Sequence, residues 1–254
     1  MNKRKKIVIG NWKNNPQTSE EAKKIFKGVV KKALAISGVE TVIAPPTLFT
    51  NLFSKEKFSA KVRLGAQNVF HKTEGACTGE ITAGMLKHAK VSHVIIGHSE
   101  RRALGETDAV VAQKAAVLLR EGFKPIICIG EPTHDPEGEY LRFLENQITS
   151  SLALIQNNDM LDIIIAYEPI WTIGATEAMT GNDIYQTTLY IRKILHGIYN
   201  QTIADAMTIV YGGSVNTSNI EDIMVKGNVD GVLVGRDSLI PDNFGDILTT
   251  VSKS

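Results

Sequence analysis

Several side chains of this sequence could do acid–base work at a carbonyl, and each stands where an apolar run stops. Glu168 closes the run Ile163-Ile164-Ile165-Ala166-Tyr167 and is followed at once by Pro169. Proline fixes its own φ and restricts the residue before it, so this carboxylate sits on stiffened backbone where a strand gives way to a loop. Trp171 and Gly174 follow as an anchor and a flexible point. A carboxylate so placed suits a general base. The plain alternative is a solvated loop glutamate beside a chance proline. His98 follows Val94-Ile95-Ile96-Gly97. It is either a hydrogen-bonded core histidine or a group that polarises a carbonyl, with a helical turn beginning just after it at Ser99-Glu100-Arg101-Arg102.

Lys13 and Asn11 follow the short run Ile7-Val8-Ile9-Gly10. Lys13 is either a solvated charge or the partner of a substrate anion. Asn11 is either a turn former or the group that holds Lys13 in place. Glu100 pairs with Arg101 or Arg102 on the surface, or with Lys13 across a site. Arg101 and Arg102 read as structural or interface charges, and Cys128, inside an apolar strand, reads as packing. Gly212-Gly213-Ser214 and Gly235-Arg236 are turns in which backbone amides can approach a ligand closely. Metal-spaced His/Cys clusters, a Walker loop and a G-x-S-x-G elbow are all missing from the sequence. What remains suits proton abstraction next to the carbonyl of a small phosphorylated sugar, with no cofactor and no metal.

The elements that must position these groups alternate regularly. Apolar strand-like runs lie near 7–9, 41–44, 62–67, 94–97, 125–129, 163–167, 207–211 and 231–234. Helical patterns over 18–33, 48–53, 81–89, 108–120, 140–155, 182–199, 218–225 and 244–251 follow them in turn. Thr18 and Glu21 form a capping box at the first of these. Eight strand–helix units predict α/β architecture, a (β/α)8 TIM barrel of eight parallel strands with outer helices, as one domain over 1–254. A doubly wound sheet is the competitor, but no G-x-G-x-x-G follows the first strand. Active sites of such barrels lie at the C-terminal strand ends, where all the candidate groups fall. The turns after the seventh and eighth strands are the usual phosphate site.

With 254 residues, 43% of them hydrophobic, and a net charge of +1, the sequence supports a sizeable core and advertises neither nucleic acid nor an anionic membrane. Two cysteines make no disulfide framework and fit a reduced, cytoplasmic setting. No apolar stretch is long enough to span a bilayer.

The stretches Gly10-Asn11-Trp12-Lys13, Gly65-Ala66-Gln67-Asn68, Thr78-Gly79-Glu80, Gly97-His98-Ser99-Glu100-Arg101-Arg102, Ala166-Tyr167-Glu168-Pro169-Ile170-Trp171, Tyr211-Gly212-Gly213-Ser214-Val215 and Leu233-Val234-Gly235 run in order over the whole chain. Together they resemble the triosephosphate isomerase family. The resemblance implies interconversion of dihydroxyacetone phosphate and D-glyceraldehyde 3-phosphate through an enediolate, without a cofactor. It implies that Glu168 shuttles the proton, His98 polarises the carbonyl oxygens and Lys13 offsets negative charge. Asn11 would support the oxyanion side, and Glu100 would hold Lys13. Amides at Gly174, Ser214, Gly235 and Arg236 would bind phosphate, and the loop 169–179 would close over the site. A homodimer is also implied, through the loop 70–80 running from Phe70 to Glu80, with Thr78 reaching the partner's Asn11 region.

The sequence departs from the family pattern in the lid at 174–179, in Arg236 where a second glycine is usual, in Asn14 where methionine is common, and in the loop after Glu131. These departures keep two alternatives open: an isomerase of a tetrulose or other short sugar phosphate, and a phosphate-ligand-binding barrel without turnover.

Overall fold

The computed structural model describes residues 4–56, 61–173 and 178–254. Strands β1 (Lys6–Asn11), β2 (Val39–Ala44), β3 (Val62–Ala66), β4 (Val91–Ile96), β5 (Lys124–Ile129), β6 (Ile164–Tyr167), β7 (Thr208–Tyr211) and β8 (Gly231–Val234) close into one barrel in sequence order. Every neighbouring pair is parallel, including β1 with β8, where Ile7 faces Gly231. Helices α1 (Ser19–Ala35), α2 (Thr47–Phe53), α3 (Ala83–His88), α4 (Ser99–Ala103), α5 (Asp108–Arg120), α6 (Glu139–Ser151), α7 (Gly181–Ile198), α8 (Gln201–Ala206), α9 (Ile220–Lys226) and α10 (Pro241–Lys253) fill the connections. The expected (β/α)8 TIM barrel is the observed fold.

Strands covered on both faces read as nearly continuous apolar runs, and here the two faces serve two separate cores. Ile7, Ile9, Val42, Ile95, Ile126 and Leu233 belong to the cluster that fills the barrel. Alternate residues such as Val8, Ile43, Val94, Ile127 and Ile165 pack outward with helix residues including Phe26, Leu118 and Leu195. Full burial of each such side chain stabilises by about 1.5–3 kcal/mol relative to exposure. Trp12, just past β1, meets Phe26 of α1 and Phe53 of α2 edge-on at 6.4 and 6.2 Å. That cluster fixes the exit of β1, where Asn11 and Lys13 lie.

Element boundaries differ from the expected ones for local reasons. β3 ends at Ala66 because the Gln67 side chain turns to donate to the Lys13 and Ala44 carbonyls, at 2.8 and 3.0 Å. The chain before β6 makes a 3-10 turn at Asn157–Asp162, which periodicity did not reveal. Helix α8 was also unforeseen. It is one short cap-driven turn, with Asn200 Oδ1 accepting from the Ile203 N–H at 3.0 Å. Helix α10 starts three residues earlier than the pattern suggested, because Pro241 takes the first helical position. Thr18 Oγ1 does accept from the Glu21 N–H at 3.3 Å, as a cap requires.

Candidate active site

Lys13 has a left-handed backbone with φ of 51°, uncommon for a residue with a side chain. Three groups hold it there. Asn11 Oδ1 accepts its N–H at 3.0 Å, Gln67 Nε2 donates to its carbonyl, and Trp12 is locked in the core beside it. Strain of this kind persists only where neighbours over-determine it, and it clusters at functional sites. The conformation delivers Lys13 Nζ to Glu100 Oε1 at 2.6 Å. Of the pairings open to Glu100, the structure selects Lys13. With Glu100 59% exposed, that pair orients the ammonium more than it stabilises the fold.

His98 caps α4. Its Nδ1 accepts the Glu100 N–H at 3.1 Å, so the hydrogen of the neutral ring sits on Nε2. Nε2 faces Glu168 Oε1 at 3.7 Å. The preceding Gly97 has φ of +67°, and a Cβ there would sit 2.9 Å from Arg102 Nη2, so only glycine fits. A buried polar cluster supports this corner. Glu106 Oε2 accepts the Gly97 N–H at 2.9 Å, and Lys114 Nζ pairs with Glu106 Oε1. Lys114 also donates to Asn68 Oδ1 at 2.7 Å, which ties Asn68 to the same cluster. Arg102 braces the same turn by donating from Nε to the Gly97 carbonyl at 2.6 Å, and it pairs with Asp108.

Glu168 is only 2% exposed. Its N–H donates to the Ile129 carbonyl at 2.7 Å, and the Gly212 N–H donates to the Tyr167 carbonyl at 2.7 Å. The sheet ladder thus grips the residue on both sides beyond the formal end of β6. A Cβ at position 212 would lie 2.6 Å from Glu168 Cγ, which explains a glycine there. Burial raises the Glu168 carboxyl above its usual range, opposed by His98, by Lys13 and by the Cys128 thiol beside it. Its Oε2 is buried and has no hydrogen-bond partner. An unsatisfied acceptor of raised basicity beside a cavity is chemically equipped to take a proton. Burial, with the Glu168 charge next, lifts the Cys128 thiol far above its ordinary value, so this cysteine is not a nucleophile.

A cavity of about 480 Å³ collects Asn11, Lys13, His98, Glu168, Ser214 and Arg236. Gly213 and Gly235 line the same end as Ser214 and Arg236. Ser214 is fixed by its hydroxyl donating to the Thr172 carbonyl at 2.6 Å and by Asn219 donating to its carbonyl at 2.6 Å. Arg236 is exposed. Glu100 lies behind Lys13 and lines a neighbouring groove instead. Gly174, named from the sequence as a phosphate ligand, lies outside the described residues, as do the lid positions 175–177. Among the described residues no group of three or more His, Cys, Asp or Glu could hold a metal ion.

Sequence reasoning passed over Glu106, Lys114 and the positioning part of Gln67. A faint signal existed for Lys114, a lone charge within the apolar stripe Val111, Ala115 and Leu118 of α5. Glu131 was also missed. It is fully buried after β5, where its Oε1 accepts from Tyr167 Oη at 3.0 Å and Trp171 Nε1 at 2.8 Å.

Comparison with known proteins agrees with this geometry. The sequence model of the family described as triosephosphate isomerase matches residues 6–251. The triosephosphate isomerase of Dehalococcoides mccartyi strain CBDB1 is 41% identical over 245 residues, covering 95% of this chain and 94% of its own. That of Natranaerobius thermophilus is 38% identical over 245 residues, with 95% and 94% covered. That of Ligilactobacillus salivarius is 37% identical over 240 residues, with 94% and 95% covered.

Proposed function

The chain belongs to the triosephosphate isomerase family, and on that premise we propose how its own residues divide the work. The reaction is the cofactor-independent interconversion of dihydroxyacetone phosphate and D-glyceraldehyde 3-phosphate through an enediolate. Glu168 is the base that takes a proton from the carbon next to the carbonyl and returns it to the neighbouring carbon. The observation that carries this assignment is its buried, unpartnered Oε2, with Oε1 3.7 Å from His98 Nε2. His98 donates its Nε2 hydrogen toward the carbonyl oxygen, which becomes the enediolate oxygen. Such a preformed donor is worth most where charge develops in a water-poor site.

Lys13 offsets the negative charge of substrate and intermediate. Glu100 aims the Lys13 ammonium, and Asn11 holds the Lys13 backbone. Amides at Gly174, Ser214, Gly235 and Arg236 take the phosphate, with the Arg236 guanidinium adding a charge at the cavity mouth.

A homodimer through the loop 70–80 is part of the same reading. The groove of about 990 Å³ behind Lys13 is lined by the exposed Leu48 and Leu104 and by Arg101. Arg101 Nε is buried without a partner, which suits an acceptor brought by a second copy. Among the described residues no helix is long and apolar enough to cross a membrane. A cytoplasmic location fits a chain of this chemistry with two free cysteines.

The test is steady-state isomerisation of glyceraldehyde 3-phosphate beside four-carbon ketose phosphates. The triose is expected to give the higher kcat/KM. A triose value far below the four-carbon one would overturn the substrate assignment.

A further inference from the structure

Gln147 is a buried polar side chain on α6 that no step proposed above uses. The buried stripe of α6 is Leu144, Gln147, Ile148 and Ser151, and Gln147 is 4% exposed within it. A side-chain amide taken out of water at such a place is costly unless it is hydrogen-bonded. Its Oε1 accepts the Gly130 N–H at 2.8 Å, across 17 residues of sequence.

Gly130 stands just past β5, and that N–H belongs to the peptide group between Ile129 and Gly130. The carbonyl of the same peptide group, on Ile129, accepts the Glu168 N–H at 2.7 Å. A peptide group is planar, so its two polar ends do not tilt independently. Holding the N–H therefore fixes the direction of the carbonyl that grips Glu168. Hydrogen bonds linked in this way also polarise one another.

The two segments are in close contact as well. A Cβ at position 130 would collide with the Glu168 carbonyl oxygen and lie 3.1 Å from the Pro169 nitrogen, which leaves room only for glycine. The Ile170 N–H donates to the Glu131 carbonyl at 2.9 Å. The chain over 168–170 thus rests on the chain over 129–131, and Gln147 holds the middle residue of that support. A shift of Gly130 is passed directly to Glu168.

We propose that Gln147 is a positioning residue for the isomerisation: through the Ile129–Gly130 peptide it sets where the Glu168 backbone, and with it the carboxylate, stands. Gln147 is not among the residues lining the cavity of Glu168 and His98, so it acts through the base and not on the substrate. The competing account is that Gln147 only satisfies a buried N–H and supports the fold. The two accounts differ in what a substitution moves.

The inference rests on Glu168 being the base. Gln147→Met keeps the volume of the side chain and removes the acceptor. With glyceraldehyde 3-phosphate its kcat is expected to fall about five- to fiftyfold, the scale of one buried donor left unpaired and a base slightly displaced, while KM changes less than about twofold. Gln147→Glu restores an acceptor oxygen at the same reach. It should recover most of the lost kcat, although a buried carboxyl lowers its Tm. Turnover and Tm then part company, which a purely structural role does not allow. Should Gln147→Met not fold, Gln147→Asn, one methylene short of Gly130, carries the same expected loss of kcat. A folded Gln147→Met or Gln147→Asn enzyme with wild-type kcat overturns the proposal. So does a kcat that follows Tm across the variants, or a loss confined to KM. Failure of the base assignment would show separately, as retained activity in Glu168→Gln.

Discussion

His98 Nε2 and Glu168 Oε1 stand 3.7 Å apart, one past the end of β4 and the other past the end of β6 with β5 between them, and each is held by backbone rather than by the other. The Glu100 amide fills His98 Nδ1, and the ladders from β5 and toward β7 grip Glu168. The gap between them leaves both free to act on a third group. Because burial raises the Glu168 carboxyl, the base is lost to protonation sooner than an exposed glutamate would be. Wild-type kcat should therefore drop as pH falls through a value above the ordinary glutamate range, and a kcat profile against pH checks this.

The same shift has a stability consequence of opposite convenience. A carboxyl whose folded pKa is raised binds more protons in the native state than in the unfolded one. Its charged form thus costs stability once pH rises above the unfolded value near 4.5, fully so above the folded value. Glu168→Gln removes that cost. Its Tm should exceed that of the wild type at pH 7.5, with the difference shrinking below about pH 4.5, as thermal unfolding at both pH values will show.

The buried Lys114–Glu106 pair supports Gly97 and, through it, His98. Lys114→Met leaves the carboxylate of Glu106 unpaired in the interior and should destabilise by about 3–5 kcal/mol in urea unfolding. The double variant Lys114→Met with Glu106→Leu should recover part of that loss. It should not recover kcat, because the Gly97 N–H then has no acceptor.

The barrel was legible in the sequence because strands covered on both faces must be apolar throughout, and eight such runs alternate with helical stripes. The rim was legible because Glu168, His98, Lys13 and Asn11 each follow such a run directly. What stayed hidden depends on contacts between distant segments. Gln67 finds the Lys13 carbonyl 54 residues away in sequence, and Lys114 finds Asn68 at a separation of 46. Nothing local to either residue encodes that partner. The pairing of Glu100 with Lys13, 87 residues apart, was open for the same reason.

Arg236 stands in the turn proposed to take the phosphate, and its side chain lies exposed at the cavity. If its guanidinium assists the phosphate, Arg236→Ala should raise KM about three- to tenfold with kcat nearly kept, the pattern of a uniform binding contact. The rise should shrink in high salt. Steady-state kinetics at two ionic strengths checks both.

His93 sits buried on β4, and burial, then Lys124 and Arg63, lower its pKa to about 3, with Glu40 at 3.8 Å as the opposing charge. The native state therefore keeps the ring neutral where the unfolded chain protonates it. Stability is intact above about pH 6.5 and is lost as pH falls toward 3, with a slope of up to ~1.4 kcal/mol per pH unit from this group. His93→Gln should flatten that part of the urea-stability profile.

The account turns on Glu168, and shortening its side chain tests it most directly. In Glu168→Asp the carboxylate keeps its charge and its place just past β6 but withdraws by one methylene. The account predicts a kcat for glyceraldehyde 3-phosphate lower by about 100-fold or more, with KM changed far less, since a displacement near 1 Å costs that much in a proton transfer. A folded Glu168→Asp enzyme with full turnover would contradict it.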